Sequence, residues 1–196
     1  MTKLSIIIPV YNMSEQLVQC ILTIQQTVRL SYEVIIVDDG SVEDERVSIS
    51  MGGGDIRILH SEEHRGFSHA VNMGIRASVG EVLLFLHADV LLAPHTAADM
   101  LDALIEDERL GAVSAVAASV YERAQLLPDA PYHGWSSFVA TAEAIRARGK
   151  AAYPEILAEM IALMVRRDVV EAAGFLDEQY QVPALAAYDY TVRMTR

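Results

Sequence analysis

The chain has 196 residues, 52% of them hydrophobic, and carries 15 Lys and Arg against 27 Asp and Glu for a formal net charge of -12. That length suits one domain with a substantial core, and an acidic balance with no basic block argues against a nucleic-acid partner and against docking on anionic lipid. No apolar stretch reaches the roughly 17 residues of a transmembrane segment, and the single cysteine, Cys20, rules out an intramolecular disulfide and suits a reducing, cytoplasmic setting.

The first apolar run, Leu4 to Val10, leads into Tyr11-Asn12 rather than a small-residue cleavage site, so it reads as a strand and not a signal peptide. Asn12 and Glu15 stand at capping-box spacing, and Leu17, Ile21, Ile24 and Val28 follow at helical period. Cys20 sits on that helix beside Ile21 and Ile24, where it reads as packing. A second strand, Glu33 to Val37, ends in Asp38-Asp39-Gly40-Ser41. Gly52-Gly53-Gly54 lies in a polar loop, outside the G-x-G-x-x-G arrangement of a dinucleotide site. A short strand, Ile56 to Leu59, precedes a helix with Phe67, Ala70, Val71, Gly74 and Ile75 on one face. The strand Val82 to Leu86 ends in His87-Ala88-Asp89; after Pro94, Thr96 and Asp99 again have capping spacing ahead of Met100, Leu101, Leu104 and Ile105. This alternation predicts parallel strands joined by right-handed crossovers.

The second half is less regular. Ala112 to Tyr121 reads as a strand, Pro128 to Gly134 as turns, Trp135 to Arg148 as a helix, Met160 to Val165 as a buried strand, and Asp168 to Ala173 as a helix stopped by Gly174. The chain ends at Arg196 within a stretch that reads as helical. No repeat or linker divides it, so residues 1–196 read as one domain.

Three strands therefore deliver polar groups at the same end, and the carboxyl edge of an open α/β sheet is where ligands bind. No P-loop is present. His60, His64 and His69 are spaced wrongly for a shared helical face, which argues against a zinc site, and Ser41 and Ser68 lack a plausible His-Asp pairing order. Asp38 suits a turn as well as a site. Asp39 and Asp89 are stronger candidates: paired strand-end carboxylates can hold the base or ribose of a nucleotide and a divalent metal on its diphosphate.

These residues resemble the family 2 glycosyltransferases, inverting enzymes of the GT-A fold that use nucleotide-diphospho-sugars. The resemblance rests on Ser5 to Asn12, Glu33 to Ser41, the set Gly66, Ala70, Asn72, Gly74, Ala77, Gly80 and Glu81, and the segments Leu163 to Arg167 and Gly174 to Glu178. It implies a three-layer α/β fold with a mainly parallel sheet, a nucleotide-binding half at 1–92 and an acceptor-side half at 93–196. It also implies that Pro9, Tyr11 and Asp39 contact the nucleoside, with Arg65 near phosphate, His87 near ribose, and Asp89 holding Mn²⁺ or Mg²⁺ with the diphosphate. A UDP- or GDP-linked sugar donor and a glycan, lipid or protein acceptor follow as partners, and a homo-oligomer stays open.

Two features depart from the family pattern. His87 stands where Asp-X-Asp begins, and Ala186-Ala187 replaces the Glu-Asp pair ahead of Asp189-Tyr190-Thr191-Val192-Arg193. Alanine cannot take a proton. Asp189 is then the expected catalytic base, with Asp177 a distant second, and the alternative is a catalytically impaired nucleotide-sugar-binding or interaction domain of the same fold.

Overall fold

The computed structural model describes residues 3–42, 55–117, 134–147 and 158–195. Its elements run β1 (Leu4–Val10), α1 (Ser14–Thr27), β2 (Tyr32–Asp38), β3 (Asp55–His60), α2 (Phe67–Ala77), β4 (Val82–Leu86), α3 (Thr96–Glu106), β5 (Ala112–Ser114), α4 (Trp135–Ala147), β6 (Ala162–Arg166), α5 (Arg167–Ala173) and α6 (Pro183–Met194). The strands form one six-stranded sheet in the order β3-β2-β1-β4-β6-β5. β1 pairs in parallel with β2 and β4, and β2 with β3. β6 runs antiparallel to both β4 and β5. The sheet is mainly parallel, as expected.

Side chains on a strand alternate between faces, and here both faces are covered. Leu4, Ile6, Ile8, Val34, Ile36, Leu84 and Met164 pack with Leu17, Ile21 and Ile24 of α1 and Met100, Leu101 and Leu104 of α3. On the other face Ile7, Leu83, Phe85, Leu163 and Val165 meet Val71 and Ile75 of α2, Val170 of α5, and Ala186, Ala187 and Tyr190 of α6. Double coverage explains why the strands are near-continuous apolar runs. Each fully buried aliphatic side chain contributes about 1.5–3 kcal/mol. α2 lies so close to β1 that a Cβ at Gly74 would run into the Ile7 side chain.

A buried polar pair crosses between strands at the amino ends of β1 and β2, Ser5 and Glu33. Glu33 is 1% exposed and accepts hydrogen bonds from Ser5 Oγ at 2.6 Å, the Val79 N–H at 2.9 Å and Arg57 Nη2 at 2.5 Å. Burial pushes its carboxyl up; the bonds from Ser5, Val79 and Arg57, aided by Lys3, outweigh burial and leave it below the usual range.

Several local expectations are corrected. Asn12 does not cap α1, whose N-cap residue is Met13 with no side-chain cap bond. Nor does α3 receive a side-chain cap: its N-cap residue is His95, and Asp99 instead pairs with Arg146 at 2.8 Å. β5 is shorter than the run Ala112 to Tyr121, of which residues 118–121 lie outside the described residues. The glycines 52–54, most of the turn-rich segment at 128–133, and Arg148 also lie outside them. Gly174, at φ 76°, ends α5 as expected.

Tyr190 is fully buried against the edge of Phe85, and its hydroxyl has no hydrogen-bond partner among the described residues. Burial pushes the phenol up to about 12. An unpaired buried hydroxyl costs about 1–3 kcal/mol. Tyr190→Phe is therefore expected to stabilise the fold by about 1 kcal/mol, seen as a melting midpoint raised by about 2–4 °C in a thermal scan. A lowered midpoint would mean that the hydroxyl is bonded.

Candidate functional site at the carboxyl edge of the sheet

The β1–β2 pairing runs to Val10, opposite Asp38, whereas the β1–β4 pairing stops at Ile7, opposite Phe85. β1 and β4 thus part toward their carboxyl ends. This is also where the strand order reverses, with β2 and β3 on one side of β1 and β4 on the other, the place at which open α/β sheets take ligands. Pro9, half-buried and with no N–H to donate, lies beyond the last β1–β4 pair.

One side of the opening is built from the ends of β1 and β2. Asn12, at φ 51°, accepts the Val42 N–H on Oδ1 at 3.0 Å and donates its own N–H to Ser41 Oγ at 3.0 Å. The Asp38 carboxylate accepts the Ser41 N–H at 3.0 Å and lies 3.2 Å from His60 Nδ1. Burial pushes the Asp38 carboxyl up, but the bonds from Ser41 and His60 outweigh it and the net direction is down. Asp38 is thus the turn residue.

Asp39 is 3% exposed and turns toward the segment ahead of α2. Its carboxylate accepts the N–H groups of Arg65 at 3.2 Å and Gly66 at 2.7 Å, and lies 2.8 Å from His64 Nδ1. The His64 ring stacks on Tyr11 with centroids 3.8 Å apart and planes 21° from parallel. Gly40 lets this segment approach: at φ +75°, with the backbone of Glu63 and His64 against it, it has no room for a Cβ.

The other side is the end of β4. His87 is half-buried, with its N–H donated to the Ile161 carbonyl at 3.0 Å and its ring at 5.4 Å from that of Phe67. Burial pulls its imidazole below the ordinary value, while Asp89 and the buried Glu159 pull the other way. Asp89 is exposed. Among the described residues, no group of three His, Cys, Asp or Glu gathers into a metal cage. A hard carboxylate oxygen at Asp89 fits Mn²⁺ or Mg²⁺ only as one ligand of several, the rest coming from a bound molecule.

The Arg65 guanidinium reaches Glu178 at 3.2 Å, and Glu178 also lies 3.2 Å from His69 Nδ1 and 3.0 Å from Asn72 Nδ2. The Asn72 bond is the main reason the Glu178 carboxyl is lowered; burial opposes it, and His69 and Arg65 add to it. His60, His64 and His69 therefore face three different carboxylates. Asp189 stands apart from these groups in its contacts. It pairs with Arg193 at 2.9 Å, one helical turn on, and Arg193 also donates to the carbonyls of Ala173 and Phe175. Ala186 and Ala187 are buried in the apolar cluster of that face.

Tyr11, Asp39 and Arg65 thus share one side of the edge, while His87 and Asp89 share the other. Sequence reasoning missed His64, Glu159 and Glu178 as participants. In the sequence Glu178 only closes the segment Gly174 to Glu178, and His64 reads only against a zinc site; neither pattern signals a partner this distant in the chain.

Comparison with known proteins agrees with this architecture. The family described as glycosyl transferase family 2 matches residues 5–158. The glycosyltransferase GlyG of Streptococcus pneumoniae is 33% identical over 89 residues, 44% of this chain and 30% of that protein. Among solved structures, the mannosyltransferase PcManGT from Pyrobaculum calidifontis, in complex with GDP-Man and Mn²⁺, superposes with a TM-score of 0.64 at 20% identity, covering 93% of this chain and 50% of that one. S. aureus TarS 1-349 in complex with UDP-GlcNAc gives 0.69 at 16% identity, covering 98% and 53%. The chain spans between about a third and a half of the length of these proteins.

Proposed function

Because the chain belongs to glycosyl transferase family 2, we propose that it moves a sugar from a nucleotide-diphospho-sugar to an acceptor hydroxyl with inversion. The observation that carries this reading is the parted carboxyl edge, with Tyr11 and Asp39 on one side and His87 and Asp89 on the other. Tyr11 would stack on the base, Asp39 would accept its ring N–H, and Pro9 would line the same wall. His87 would face the ribose. Arg65 would turn from Glu178 to the diphosphate, where a guanidinium's fork suits phosphate oxygens. The donors bound by PcManGT and TarS support a GDP- or UDP-linked sugar.

Asp89 would hold a divalent ion jointly with the diphosphate; that ion supplies charge to the departing nucleoside diphosphate. Asp189 is the remaining carboxylate of the acceptor-side motif and would be the base. Its Oδ2 is held by Arg193, so Oδ1 would take the proton. Ala186 and Ala187, buried where the family motif has its Glu-Asp pair, favour a second reading, a domain that binds nucleotide-sugar and turns it over poorly; membership of a transferase family favours the first.

The test is calorimetric titration of UDP- and GDP-sugars with Mn²⁺, followed by an assay of transfer to an acceptor panel with donor hydrolysis as a second readout. One nucleotide is expected to bind, and more weakly with chelator or in Asp89→Asn. Binding without turnover would select the second reading. Absence of binding by either nucleotide would sink both. Among the described residues no helix is long and apolar enough to cross a membrane.

A further inference from the structure

We propose that His64 is a built-in stand-in for the nucleobase: its imidazole occupies the stacking face of Tyr11 and the hydrogen-bonding position at Asp39, and a nucleotide binds by displacing it. The inference rests on the reading of Tyr11 and Asp39 as the base pocket. Two independent contacts carry it. The imidazole lies on the Tyr11 ring at a centroid distance of 3.8 Å and 21° from parallel, the geometry of a stacked base. The same Nδ1 is hydrogen-bonded to the Asp39 backbone carbonyl at 3.2 Å and lies 2.8 Å from the Asp39 carboxylate. A backbone carbonyl only accepts, so Nδ1 carries the hydrogen. A flat heterocycle that stacks on the tyrosine and donates a ring N–H to the aspartate is what uracil or guanine would present there.

The surroundings suit displacement of the ring alone. Asp39 also accepts the N–H groups of Arg65 and Gly66, which hold the backbone after His64 in place whether or not the imidazole stays. Before it, the backbone of Glu63 and His64 is packed on Gly40. The His64 side chain itself is 50% exposed, so it can turn into solvent without opening the core. Arg65 is arranged in a parallel way: its guanidinium rests on Glu178, an anion in the chain, before any phosphate arrives. The free site is thereby closed over its own polar groups, and apparent affinity falls by the fraction of molecules in which the ring is out.

The experiment compares the full chain with His64→Ala, titrating UDP and GDP in the presence of Mn²⁺. The preferred nucleotide is expected to bind His64→Ala about tenfold more tightly, because no ring has to leave. In the unmodified chain, the His64 imidazole C–H resonances, shielded by the Tyr11 ring, are expected to move to open-solvent positions on saturation with nucleotide. This second measurement needs no variant, so it stands even if His64→Ala folds poorly. Equal or weaker binding by a folded His64→Ala, or imidazole resonances that keep their shielding in the saturated complex, would overturn the proposal. Failure of the underlying reading is separately visible. Intermolecular NOEs from the base protons to the Tyr11 ring place the base; if they are missing, the pocket is elsewhere and the stand-in falls with it. If they are present while His64 stays stacked, only the stand-in falls.

Discussion

Asp39→Ala is expected to lose nucleotide binding and, separately, about 2–4 kcal/mol of folding stability. The carboxylate accepts two backbone N–H groups, from Arg65 and Gly66, and holds the His64 ring. It is 3% exposed, so no water stands ready to replace it in the folded state. Hydrogen bonds to a charged group are worth about 1.5–3 kcal/mol each, and leaving buried donors unmet adds to the loss. The N–H groups involved lie just ahead of α2, so their release should loosen the entry to that helix. Urea denaturation of Asp39→Ala and Asp39→Asn, set beside calorimetry with UDP and GDP, reads both effects. Asn keeps one acceptor oxygen and should retain more stability than Ala. A variant with ordinary stability and ordinary nucleotide affinity would contradict the assignment of Asp39 to both tasks.

The largest loss of stability, about 3–5 kcal/mol, is expected for Glu33→Ala. Glu33 sits at the opposite edge of the sheet from the site, so the loss should come without a comparable change in nucleotide affinity. Removing one member of a buried charged network strands the rest. Here the stranded groups are the Ser5 hydroxyl and the Val79 N–H, while the Arg57 guanidinium keeps only its bond to the Ala77 carbonyl; Ser5 in turn accepts the Gly80 N–H at 2.8 Å. The folded-state carboxyl lies below its unfolded value, so its contribution is complete above the unfolded carboxylate range, near pH 4, and is lost as pH falls through the lower folded value. Asp38 is shifted in the same direction and adds to the same acid limb. Denaturation midpoints followed from pH 7 down to pH 3 should therefore fall steeply in the unmodified chain and more gently in Glu33→Gln. An equally steep fall in both would remove Glu33 from the acid response.

The parts of the fold legible in the sequence are those whose signals are local. Val82 to Leu86 is buried on both faces and reads as a strand with the observed ends. Gly174 ends α5 because a left-handed φ is a property of one residue. The Asn12 and Thr96 cap patterns failed because a tertiary partner won: Asn12 is drawn to Val42 across the β2 turn, and Asp99 to Arg146. The direction of β6 was beyond any local signal, since an apolar run of five residues reads alike in either sense. The site divides the same way. Asp39 and Asp89 were visible as carboxylates at strand ends, whereas His64 on Tyr11 and Glu178 on Arg65 arise from chain segments that only folding brings together.

The placement of β6 between β4 and β5 bears on how the chain is made. During synthesis β1 to β4 emerge in an order that lets each find a neighbour early, but the outer side of β4 waits for Ala162–Arg166. Until then the edge of Val-Leu-Leu-Phe-Leu offers unpaired backbone groups on an apolar strand, the kind of surface that recruits other chains. A nascent or shortened product ending before β6 carries that edge bare, so the late antiparallel strand also acts as the cover that makes the early half safe to release.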